Sequence, residues 1–112
     1  MRETPLVGEK SLIEIRQTDE FIDWFNRLRD RQARARIDIR IRRLSLGNPG
    51  DVKVVGEGVS ELRIDYGPGY RVYFIQHIKT LIVLLAGGDK RTQAHDIQRA
   101  IQLAREYSEG DQ

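Results

Sequence analysis

Between Ser60 and Ile75 the chain reads SELRIDYGPGYRVYFI, two alternating runs around a glycine-proline-glycine centre. No other segment restricts the fold so tightly. Leu62, Ile64 and Tyr66 share one face of the first run, and Glu61, Arg63 and Asp65 share the other. In the second run Tyr70, Val72 and Phe74 oppose Arg71, Tyr73 and Ile75. A period of two marks half-buried strands, and Gly67-Pro68-Gly69 supplies a turn between them. A three-residue loop sets Tyr66 opposite Tyr70, Asp65 opposite Arg71, Ile64 opposite Val72 and Arg63 opposite Tyr73. A two-residue loop would put Arg71 on the apolar face, because a slip of one residue inverts every side chain. The expected hairpin therefore has a polar face of Glu61, Arg63, Asp65, Arg71 and Tyr73. Cations fixed on a rigid sheet suit a polyanion, with RNA the first candidate.

The next run, Thr80 to Ala86, is almost unbroken apolar sequence, TLIVLLA. Such a run fits a strand covered on both faces. It is expected to end at Gly87-Gly88-Asp89, with Lys90 and Arg91 following before a helix capped by Thr92. In that helix Ile97, Ala100, Ile101 and Ala104 recur at the spacing of a buried stripe, and His95 lies in its first turn.

Upstream, Ser11 to Arg16 reads as a first strand. Thr18 or Asp19 caps a helix with Phe21, Trp24, Phe25 and Leu28 inward. A second helix follows Asp30 with Ala33, Ile37, Ile41 and Leu44 inward, and stops at Gly47-Asn48-Pro49-Gly50. Asp51 to Val55 is a short strand. The expected class is α+β, in the order β-α-α-β-β-β-β-α: a small, mainly antiparallel sheet packed with an N-terminal helical hairpin and a C-terminal helix. At 112 residues the chain, 1–112, is expected to form one domain with an ordered core of about 11–107 and a frayed polar tail, 108–112.

Composition removes several function classes. There is no cysteine, hence no disulfide framework, thiolate nucleophile or zinc-thiolate site. His77 and His95 make no metal motif, and GGDKRT lacks the spacing of a phosphate loop. No Gly-x-Ser-x-Gly nucleophile elbow is present. No cofactor is expected. The apolar runs are too short to cross a bilayer and the first residues, MRETPLVGEK, lack a signal-peptide core, so a cytoplasmic protein is expected. Net charge is only +2, yet Arg27 to Arg43 holds eight arginines against two aspartates. Segregation on that scale can steer an acidic partner, although exposed arginines also simply solvate a helix.

The order of elements, with VSELRIDYGPGYRVYF and LLAGGDKRTQAHDIQRA, resembles the RelE/ParE superfamily of bacterial toxins, and in particular its HigB-like addiction-module-killer branch. The resemblance runs from about Ile13 to Tyr107. It implies a RelE-like fold and a toxin held inactive by a helix-turn-helix antitoxin encoded by the adjacent gene. It further implies one of two activities: cleavage of mRNA on the ribosome, or, as in ParE-type relatives, poisoning of DNA gyrase. A degenerate member that only binds its antitoxin in a repressor complex is a third reading.

For the nuclease reading, the resemblance places Arg71 at the phosphate-binding arginine of the GYR motif. Arg63 falls at a position that is basic in RelE, Arg91 at an arginine after the last strand, and Lys90 beside it as an additional cation. Glu61 stands where RelE has a lysine, and Ile97 where RelE has a tyrosine. The acid and base therefore do not carry over, and Glu61, Asp65 and His95 are the available substitutes. Arg36, Arg40, Arg43 and Tyr73 are the expected RNA contacts. Structural roles compete for the same residues: an Asp65–Arg71 cross-strand ion pair, or Arg63 lying over the Tyr73 ring.

Overall fold

A computed structural model describes residues 13–110 of the chain. The order is β1 (Glu14–Gln17), α1 (Asp19–Arg27), α2 (Arg31–Ser45), β2 (Val52–Gly56), β3 (Val59–Ile64), β4 (Tyr70–Ile78), β5 (Leu81–Asp89), a 3-10 turn (Lys90–Thr92) and α3 (Gln93–Gly110). This is the expected α+β order. The five strands form one mixed sheet, β1-β5-β4-β3-β2, in which β1 runs parallel to β5 and the other pairs are antiparallel.

Local chemistry sets the helix ends. Thr18 Oγ1 accepts from the Phe21 amide at 3.1 Å and donates to the Leu85 carbonyl at 2.7 Å, so one side chain caps α1 and ties it to the sheet. Asp30 caps α2 by accepting from the Gln32 and Ala33 amides. That helix closes on Gly47, whose amide reaches the Leu44 carbonyl and whose positive φ of 87° turns the Asn48 amide onto that of Arg43. These two bonds satisfy carbonyls that a helix end leaves open.

The sheet is covered on both faces. Phe21, Ile37 and Leu44 pack on Leu62, Ile64, Val72, Phe74, Ile82 and Leu84. On the opposite face Ala100, Ile101 and Ala104 pack on Val59, Tyr73, Ile75, Leu81, Val83 and Leu85. The unbroken apolar run of β5 follows from this: it lies between two strands, and both of its faces are buried.

Several expectations change. The β3–β4 register is Ile64 with Tyr70, Arg63 with Arg71, Leu62 with Val72 and Glu61 with Tyr73, two residues from the one expected. A shift of two keeps each side chain on its face but replaces every partner. The loop is longer because Tyr66 leaves the sheet: its hydroxyl lies 3.0 Å from Asp30 Oδ2 and Arg36 stacks 4.7 Å from its ring centroid. Strand β5 continues through both glycines to Asp89, which caps the 3-10 turn at the Arg91 amide. Thr92 lies within that turn and bonds Asp96. Ser108, Glu109 and Gly110 are helical rather than frayed. Ser11 and Leu12 of the expected first strand, and the last two residues of the expected tail, lie outside the described residues.

Candidate functional site

The row Arg63–Arg71–Gly88 crosses β3, β4 and β5 on the α3-facing side of the sheet. At its β3 end the surface opens into a hollow of about 230 Å³, lined by Asp51, Arg63, Asp65, Gly69, Arg71 and Lys90. Three of the expected cations therefore converge on one cavity, together with two carboxylates. Gly69 forms part of the wall. It holds φ at 83°, a left-handed conformation that favours glycine.

Under the hollow lies Glu61, with no exposed surface. Its Oε2 accepts from the Tyr73 hydroxyl at 3.0 Å and from Gln93 Nε2 at 2.8 Å. The same oxygen is 3.7 Å from Arg71 Nε, while Oε1 is 4.0 Å from Arg63 Nε. Arg63 is also 3.4 Å from Asp51 Oδ1. Arg71, 8% exposed, points Nη1 at the carbonyls of Gly69 and Tyr70. Burial first, and the neighbouring Glu61 charge second, push the Tyr73 hydroxyl well above the ordinary tyrosine range, so it remains a donor.

Other expected site residues lie elsewhere. Tyr73 is fully buried beneath α3 and presents no ring face to a base, which removes it from the expected RNA contacts. Arg63 pairs with carboxylates rather than with the Tyr73 ring, and Asp65 leaves the strand for the loop. His95 lines a separate hollow of about 280 Å³ with Glu20, Trp24, Arg27, Gly87, Gly88 and Asp96, beyond β5, because α3 starts past the strand end. That position removes it from the Arg71 site. Arg91 turns back onto Asp89, 2.8 Å away, which holds that carboxyl below its usual range.

The arginines of α2 divide in the same way. Arg34 donates to the Phe25 and Leu28 carbonyls at the end of α1. Arg40 donates to the carbonyls of Arg63, Pro49 and Asp51, and burial lowers its pKa from the ordinary value. Arg36 stacks on Tyr66. Arg36, Arg40 and Arg43 line a further hollow of about 230 Å³ with Ile39, Ile64 and Asp65. Asp65 is common to this hollow and the one around Arg71.

Sequence reasoning missed Gln93 and Asp51. Both act across elements, and nothing in a helix-start glutamine or a post-turn aspartate marks them locally. Among the described residues no cluster of histidine, aspartate or glutamate is arranged to hold a metal ion, and no helix is long and apolar enough to cross a membrane.

Comparison with known proteins places these residues in a family context. The family described as phage-derived protein Gp49-like (DUF891) matches residues 23–108, which include the whole hollow. An uncharacterized protein of Haemophilus influenzae is 49% identical over 94 residues, covering 84% of this chain and 95% of its own.

Proposed function

The chain belongs to the Gp49-like family of phage-derived proteins, a family of RelE/HigB-type toxin-like proteins, and on that premise we propose that it is a toxin that cleaves mRNA on the ribosome. The observation that carries the reading is the convergence of Arg63, Arg71 and Lys90 on one hollow that also holds Asp51 and Asp65. In this reaction the ribose 2′-hydroxyl loses its proton to a carboxylate and its oxygen attacks the adjacent phosphorus. The bond to the 5′-oxygen then breaks, and that oxygen takes a proton from water. The products are a 2′,3′-cyclic phosphate and a free 5′-hydroxyl. No metal is required to generate the nucleophile.

Each residue type has a task in such a step. Guanidinium groups present paired donors that match phosphate oxygens, so Arg63 and Arg71 are assigned to the phosphorane, with Lys90 as a point charge at the rim. Asp65 is assigned the 2′-hydroxyl proton, since Glu61 is enclosed and His95 lies beyond β5. The hollow is small, about 230 Å³, and the ribosome is assigned the positioning of the message. A helix-turn-helix antitoxin from the adjacent gene is the assigned inhibitor.

The test is expression of the protein with and without its neighbouring gene, with mRNA ends mapped in the arrested cells. Growth arrest with new internal cuts, relieved by the neighbouring gene, is the expected outcome. Arrest with intact mRNA and altered supercoiling would replace this reading with gyrase poisoning. Unimpaired growth would leave only an antitoxin-binding role.

A further inference from the structure

Arg63 and Arg71 face each other directly in the β3–β4 register. Like charges in opposed positions repel, and the low exposure of Arg71 makes that repulsion costlier. Asp51, 3.4 Å from Arg63 Nε, offsets part of it at the surface, and the buried group that faces both arginines lies one pair along the same face. Glu61 sits within Coulomb range of both guanidinium Nε atoms, at 3.7 and 4.0 Å, yet beyond hydrogen-bond length from either. Its hydrogen bonds come instead from two neutral donors, the Tyr73 hydroxyl and the Gln93 amide. The two Nε atoms it faces are themselves buried and make no hydrogen bond, so the carboxylate holds the arginines by charge at their enclosed ends. It is also fully enclosed, which keeps it from a ribose hydroxyl.

We propose that Glu61 is a positioning residue, a buried counter-charge that holds Arg63 and Arg71 side by side for a phosphate group and takes no part in proton transfer. Gln93 couples this clamp to the first turn of α3. The consequence for catalysis rests on the nuclease reading above, but the clamp itself is measurable without RNA.

A thermal-denaturation cycle over the native chain, Glu61→Gln, Arg63→Gln and the double variant reads the coupling. Glu61→Gln is expected to lower Tm, and adding Arg63→Gln is expected to recover part of that loss by removing one of the opposed charges. Strictly additive Tm changes would overturn the clamp, as would a double variant that fails to fold. If Glu61→Gln alone does not fold and the double variant does, the clamp is supported. In a cleavage assay Glu61→Gln is expected to lose rate, up to the order of 10²-fold, through misplaced arginines, with the acidic limb of the pH–rate profile unmoved. Disappearance of that limb would make Glu61 the base and end the proposal. A native chain that cuts no RNA would end the nuclease reading instead, leaving the Tm cycle to decide on the clamp.

Discussion

A Cβ built on Gly87 would lie 2.1 Å from Trp24 Cε3, and one on Gly88 would lie 1.9 Å from Asp96 Oδ2. The two glycines let α1 and α3 close on opposite faces of the same strand. Gly87→Ala must displace an indole ring and is expected to destabilise by about 1–3 kcal/mol or more, read as a fall in Tm. Gly88→Ala should cost less, since a carboxylate can rotate away. These glycines read locally as the end of a strand, because glycine weakens strand interiors. Their actual purpose depends on Trp24, more than sixty positions earlier in the chain, which no local pattern contains. Tyr73 gives a similar lesson. Alternation placed it correctly on the face with Glu61 and Arg71, but alternation does not say what covers a face. Because burial and Glu61 raise its pKa, the stability it contributes is present below the ordinary tyrosine range near pH 10 and is lost as pH rises beyond it. Ultraviolet titration should show one tyrosine ionising only as the protein unfolds.

At the scale of elements, helix ends were the most legible part of the sequence. Thr18, Asp30 and Gly47 act where their chemistry predicts, since a cap needs only its own neighbours. Hairpin pairing was legible only to within a face. Tyr66 is recruited by Asp30 and Arg36 of the helical layer, and this contact between layers sets the loop length. Asp30→Ala removes the α2 cap and the Tyr66 partner together. It is expected to cost about 1–2 kcal/mol, measured by denaturant unfolding, with α2 losing amide protection in its first turn. A second tie joins α1 to α3 past the end of β5, where Arg99 bonds both oxygens of Glu20 at 2.7 to 3.0 Å. The Arg99 hydrogen bonds hold the Glu20 carboxyl below its ordinary range. That contribution is therefore present above the ordinary carboxylate pKa and is lost as pH falls through the lower, folded value. A Tm series from pH 7 to pH 3 should fall less steeply in Arg99→Ala than in the native chain.

For the whole molecule, the charge segregation seen in composition is real but only partly available to a partner. Arg34, Arg36 and Arg40 are engaged in holding α2 to α1, Tyr66 and the β2–β3 region, so the arginine-rich helix pair is as much structural as electrostatic. Counting charges cannot separate those roles, because the partners are carbonyls and a ring rather than acids. The candidate site was legible in Arg63, Arg71 and Lys90, which the fold brings to one hollow, and illegible in His95, which the path of α3 carries away. Binding of RNA there should weaken with added salt, since displaced counterions and screening both act on phosphate contacts. The most direct test adds purified protein to a translating extract and maps the message ends, with Arg71→Ala, shown to be folded, in parallel. Internal cuts ending in 2′,3′-cyclic phosphate are expected with the native chain, and a loss of at least the order of 10²-fold in rate with the variant. Intact message with the native chain, or undiminished cutting by the variant, would contradict that expectation.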